Sequence, residues 1–196
     1  MRHGAAVHAA LCLAVLASAC GGPTRHRDGE GPMASLNDPD GFTRMAVDRE
    51  PGVDEWSFGM FLCMRESSTT AVIHEVVPAG TVGSDVAEVG IVIHEFAFSS
   101  GEIGMISADG YPPDNATTVV PAEGYALDVV CSEPGPDRVA ELLVGLGTSS
   151  QDGGGWVGVD VRYAVGDHEY VLELRNEMVI CGPAVDEFCA ESPAPS

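Results

Sequence analysis

From Trp56 onward the apolar positions recur every second residue in short runs, and turn-forming residues separate the runs. Period-two alternation is the mark of strands buried on one face. The clearest run is 168–181, where Tyr170, Leu172, Leu174, Met178 and Ile180 fall on one side and Glu173, Arg175 and Glu177 on the other. In 156–165, Val157, Val159, Val161, Tyr163 and Val165 oppose Asp160 and Arg162. Gly166-Asp167 between these runs reads as a tight hairpin turn, because glycine takes the positive φ that such turns need. Ahead of them, 139–146 is too apolar to be exposed on both faces, and 125–131 alternates with Leu127 and Val129 inward.

Further strands are expected at 56–65, 71–77, 89–98, 103–108 and, less regularly, 117–120. Turn signals punctuate them at Pro78-Ala79-Gly80, Asp109-Gly110, Pro112-Pro113, Glu123-Gly124 and Pro134-Gly135-Pro136. No stretch after Trp56 keeps a 3.6-residue period over three turns. Eight or nine strands predict an all-β fold, a single antiparallel immunoglobulin-like sandwich over 56–190. That length suffices for one core and not for two.

The beginning of the chain follows another pattern. Residues 1–19 carry no acid, Arg2 and His3 make a short positive start, and 5–17 is nearly continuous in small or apolar side chains. This is the layout of a secretory signal peptide, too short to span a bilayer comfortably. Ala17-Ser18-Ala19 offers the small side chains that signal peptidases accept, and Cys20 follows directly. Small residues leading into a cysteine resemble the lipobox of bacterial lipoproteins, whose cysteine is acylated and becomes the mature N-terminus. Leu16 sits one place earlier than that pattern has it. An ordinary secreted protein, cut at the same bond and keeping Cys20 as a thiol, is the competing reading. Residues 20–55, rich in Gly, Pro, Asp and Arg, read as a disordered tether, and 191–196 as a frayed tail.

Composition supports an extracytoplasmic address. Of the 6 cysteines, Cys12 leaves with the signal and Cys20 takes lipid. Cys63, Cys131, Cys181 and Cys189 remain, an even set for which an oxidising compartment makes two disulfides the expectation. Three pairings are open, and the spacing favours a local clasp Cys181–Cys189 with a long-range bridge Cys63–Cys131. The formal net charge of -21 disfavours nucleic acid and anionic headgroups, whose phosphates such a surface repels. The expected partners are the membrane, through the lipid, and an envelope protein or glycan.

The run DGGGWVGVDVRYAVGDHEYVLELRNEMVICG, with WSFGMFLC at 56–63 and the closing Cys189, resembles uncharacterised cell-surface lipoproteins of actinobacteria. Those join a lipobox and tether to an immunoglobulin-like β domain. The resemblance covers about two-thirds of the chain and rests on glycines, alternating valines and cysteines. It implies fold and location, and no chemistry.

Candidate chemistry begins with a tetrapeptide present twice, Val72-Ile73-His74-Glu75 and Val92-Ile93-His94-Glu95. If the two strands pair in register, His74 and His94 project from one face and can hold copper or zinc, with Met60, Met64 and Met105 as soft ligands. The plain alternative is that both lie on strand surfaces. Neither histidine continues into HExxH, since Pro78 and Phe98 occupy the fourth following position, and no GxSxG occurs. His168 adjoins a turn and reads as exposed. Glu173 and Glu177 flank Arg175 on an outward face, so they read as solvated rather than as a catalytic pair. Gly153-Gly154-Gly155 lacks the following helix of a phosphate loop, and Asp38-Pro39-Asp40-Gly41 lacks the ligands of a calcium loop. The expectation is a non-enzymatic lipoprotein module, with metal capture at His74 and His94 as the alternative and an envelope enzyme as the remote third.

Overall fold

The structure, a computed structural model, describes residues 25–26, 31–36, 42–96, 107–116, 118–131 and 138–189. The expected signal peptide, Cys20, positions 103–106 with Met105, and the 191–196 tail lie outside the described residues. Three strands precede Trp56: β1 (Arg25–His26), β2 (Met33–Ser35) and β3 (Phe42–Val47). Then come β4 (Glu55–Met64), β5 (Ala71–Pro78), β6 (Thr81–Gly83) and β7 (Ala87–Phe96). Short strands β8 (Ser107–Asp109), β9 (Val119–Pro121) and β10 (Ala126–Leu127) lead to β11 (Val139–Gly147). The chain continues through β12 (Gly154–Trp156), β13 (Val159–Val165) and β14 (His168–Ile180), then a 3-10 turn Pro183–Val185 and the one-turn α1 (Asp186–Cys189).

These strands build a two-sheet β-sandwich. The first sheet runs β10-β5-β13-β14-β12-β6, with β1 and β3 also on β14; the second runs β2-β4-β11-β7-β9, with β8 on β4. Strand pairs are antiparallel, except that β1 and β3 lie parallel to β14. Alternation decides what faces the interior. Trp56, Phe58, Met60, Leu62 and Met64 of β4 join Ala140, Leu142, Val144 and Leu146 of β11 in one core cluster. From the first sheet they meet Ile73, Val159, Val161, Tyr163, Leu172, Leu174, Met178 and Ile180. Each such side chain contributes roughly 1.5–3 kcal/mol by leaving water. The 166–167 hairpin forms as the sequence indicates, with Gly166 at φ 57.

Both disulfides form as expected, Cys63–Cys131 and Cys181–Cys189. The first closes a separation of 68 residues and the second one of 8. Restricting the unfolded chain stabilises by about 4 kcal/mol for the long loop and about 2.5 kcal/mol for the short one. Cys63 alternates with the core residues Leu62 and Met64, so its side chain lies on the outer side of its sheet.

The N-terminal boundary differs from the expectation. The segment expected as tether over 20–55 contributes three strands to the sheets, because Met33 and Met45 are buried at 1% and 6% exposure. Strand β2 pairs with the 62–64 end of β4, and β3 pairs with 175–180 of β14, so this segment reaches both sheets. In MAS and FTRMAV the apolar residues fall next to one another rather than every second position, which is why alternation alone misses these strands. The 156–165 run is likewise two strands, β12 and β13, parted at Val157-Gly158.

Met33→Ala and Met45→Ala should each cost about 2–4 kcal/mol in urea unfolding of the full chain, as for other buried Met truncations. Losses under about 0.5 kcal/mol, the usual limit for surface sites, would place β2 and β3 outside the cooperative unit.

Candidate functional site

The two VIHE copies lie in different sheets. Strand β5 pairs with β10 and β13, whereas β7 pairs with β11 and β9. The in-register pairing that a shared His74–His94 metal site requires is therefore not formed. Met60 and Met64 do not serve it either, since both point into the core at 0% exposure. Among the described residues no group of three or more His, Cys, Asp and Glu side chains is placed to hold a metal ion.

His74 occupies an irregularity in β5. Arg162 of β13 stands opposite Glu75, and Tyr163 opposite Ile73, so His74 is the extra residue of a bulge. Bulges interrupt a ladder locally and re-aim the inserted side chain. His74 is exposed, and it borders a cavity of about 120 Å³ with Glu75, Arg162, Tyr163, Glu169 and Tyr170. Glu75 accepts a hydrogen bond of 2.6 Å from Arg162 at the rim. His168, beside the hairpin turn, is exposed as expected.

His94 has a different environment. It is 7% exposed, its ring stacks on Phe96 at 4.9 Å, and its Nδ1 lies 3.1 Å from Oε2 of Glu141. Glu141 is 0% exposed in the middle of β11, facing away from the core cluster. The position works because Gly59 lies beside it: a Cβ there would come within 2.0 Å of Oε1. Among the described residues Oε1 has no hydrogen-bond partner. Burial pushes the Glu141 carboxyl above its ordinary value of 4.5, and the bond to His94 opposes that rise.

This outer face of the second sheet is closed to solvent along β11. Phe61 is 2% exposed, and Leu143 0%. Part of the cover is the segment after β8, whose Tyr111 ring lies against Gly145 and Gly90. A Cβ at those glycines would approach the ring to 2.4 and 2.8 Å. Burial, then the nearby Glu88, pushes the Tyr111 phenol up to about 12. At the sandwich margin Tyr125 donates to Glu95 Oε1 at 2.6 Å, and burial followed by that bond drives the Tyr125 phenol upward as well.

The expected solvated pair Glu173 and Glu177 separates. Arg175 binds Glu173 at 2.6 Å and Asp160 at 2.9 Å on the outer face of the first sheet. Glu177 is not in water: it is 9% exposed and accepts a 2.7 Å bond from Arg44 of β3. The guanidinium of Arg44 stands 5.1 Å from the Phe188 ring centre, so the C-terminal segment helps to cover this end of β14. Periodicity gives the side on which Glu177 lies, and it carries no information about a later segment folding across that side.

Glu141 is the polar residue that the sequence reading passed over. Glu141 lies within an apolar run, AELLVGLG, and its burial depends on Gly59, far away in the chain. Together His94 and Glu141 can share a proton. A general acid or base must reach substrate, and this pair is enclosed, with His94 7% and Glu141 0% exposed. No family model, curated protein or solved structure matches this chain.

A carboxyl raised by burial favours the folded state below its ordinary pKa and loses that contribution as pH rises through the raised value. Glu141→Gln keeps the shape and removes the titration. In urea titrations between about pH 4 and pH 8, the stability of the variant relative to wild type should therefore increase with pH. A constant difference across that range would show that Glu141 titrates as it does in the unfolded chain.

Proposed function

We propose that this protein is a lipid-anchored module on the outer side of the cytoplasmic membrane, tethered through Cys20 and presenting a non-catalytic β domain. The single observation that supports this most is the closure of all four remaining cysteines into two disulfides. Such complete pairing suits an oxidising compartment. It accords with the export signal and with Ala17-Ser18-Ala19-Cys20 in the sequence. We read the sandwich as immunoglobulin-like, in the manner of the actinobacterial cell-surface lipoproteins that the strand and cysteine pattern resembles. Three long strands in each sheet support that reading.

The non-catalytic role is supported by the placement of the candidate chemistry. Among the described residues, the buried acid–imidazole pair of Glu141 and His94 is closed off by aromatic and aliphatic side chains. On the outer face of the first sheet, exposed Glu75 and the partly exposed Asp160 and Glu173 are engaged by Arg162 and Arg175. Ion pairs of this exposed kind contribute less than about 1 kcal/mol each, so they suit a solvated face. The partner we propose is an envelope protein or glycan rather than a phosphate-rich polymer, which the acidic surface would repel.

Growth of the producing cells with a radiolabelled or alkyne-tagged palmitate should label the chain, and Cys20→Ser should abolish the label. The variant should also leave the membrane fraction. Unlabelled wild-type chain, found free in the medium, would make this an ordinary secreted protein cut before a free thiol.

A further inference from the structure

The two disulfides differ in what surrounds their sulfurs. Cys63 is 0% exposed within β4, whereas Cys181 and Cys189 are both partly exposed. Thiol–disulfide exchange needs a line of attack on one sulfur and a second sulfur able to leave as thiolate. Cys131 is partly exposed, but attack there would expel the Cys63 thiolate into a dry strand position. Burial in apolar surroundings disfavours a thiolate and makes it a poor leaving group. At the C-terminal bond both cysteines are partly exposed, so attack on either one expels a thiolate at a position that borders solvent.

The short bond also holds a defined piece of structure. It ties the turn Pro183–Val185 and α1 back to the end of β14. Val185 is buried at 0%, as is Val179 on the covered side of β14. Phe188 contributes the ring beside Arg44, which in turn holds Glu177. Backbone bonds from Ala184 to Asp152 and from Cys181 to Val47 complete the attachment.

We propose that Cys181–Cys189 is a thiol-exchangeable clasp, opened by a dithiol reductant, which releases residues 183–189 while Cys63–Cys131 stays closed. The attacking thiolate forms a mixed disulfide with one of the pair and expels the other as thiolate. The second thiol of the reductant then displaces the mixed disulfide. The dithiol becomes a disulfide, and Cys181 and Cys189 become two thiols. Release exposes Val185, which packs beside Gly83 of β6, and the Phe188 ring beside Arg44.

The full chain, treated with limiting dithiothreitol and trapped by an alkylating agent, gives the test by peptide mass mapping. Alkylation at Cys181 and Cys189 should run at least ~10-fold ahead of that at Cys63 and Cys131. Equal rates, or the long bridge opening first, would overturn the assignment. Chymotryptic cleavage at Phe188 should appear in step with labelling of Cys181 and Cys189. Labelled chain that stays uncut there would mean that Val185 holds the segment without the clasp. The double variant Cys181→Ser, Cys189→Ser supplies the open form without reductant, and cleavage no faster than in wild type would contradict release.

Discussion

The fold depends on β14 being held along both edges. Its 13 residues, His168–Ile180, take β13 and then β12 on one side, and β1 and then β3 on the other. A strand this long cannot stay flat, and it bridges two regions of the first sheet that would otherwise be separate. Leu172, Leu174, Met178 and Ile180 carry the core along its whole length. Because its last six residues take β3 as a parallel neighbour, the chain before Trp56 is drawn into the sandwich. The far end of β14 is then the place where tether side, core and C-terminal clasp meet.

Both sheets owe their outer faces to the chain's own connections, in unequal measure. On the second sheet Tyr111 covers glycines of β7 and β11, and the same face encloses Glu141 with His94. On the first sheet, among the described residues, Phe188 of the 183–189 segment stands beside Arg44, which pairs with Glu177 near the end of β14. The β5–β13 portion keeps its arginine–carboxylate pairs and the bulge at His74 in contact with water. Burying a carboxylate such as Glu141 is costly unless it is paired. Its Oε2 lies 3.1 Å from His94 Nδ1, and among the described residues its Oε1 has no hydrogen-bond partner.

How far the sequence speaks for the structure depends on how local each feature is. The hairpin between β13 and β14 is set by alternation and by Gly166, and both are visible within a dozen residues. That the four cysteines pair follows from an oxidising compartment, whereas which of the three pairings forms is only favoured by the sequence and is set by the fold. Strand partners are not local: nothing in two copies of VIHE says that one will pair with β13 and the other with β11. In strands β2 and β3 the apolar residues fall next to one another rather than alternating, and their burial comes from Met33 and Met45 finding β4 and β14. Glu177, expected to be solvated, is buried for a reason that Glu141 shares. Alternation assigns a side of a sheet, and the exposure of that side is decided by segments far away in the chain.

The measurement that bears most directly on this arrangement is native-state hydrogen exchange of the full chain, resolved by peptide. If β14 organises both edges, amides of Thr43–Val47 exchange only with the same opening that frees residues 175–180. Exchange of that segment at the rate of an unstructured peptide, while 175–180 stays protected, would contradict it and return residues 42–47 to the tether.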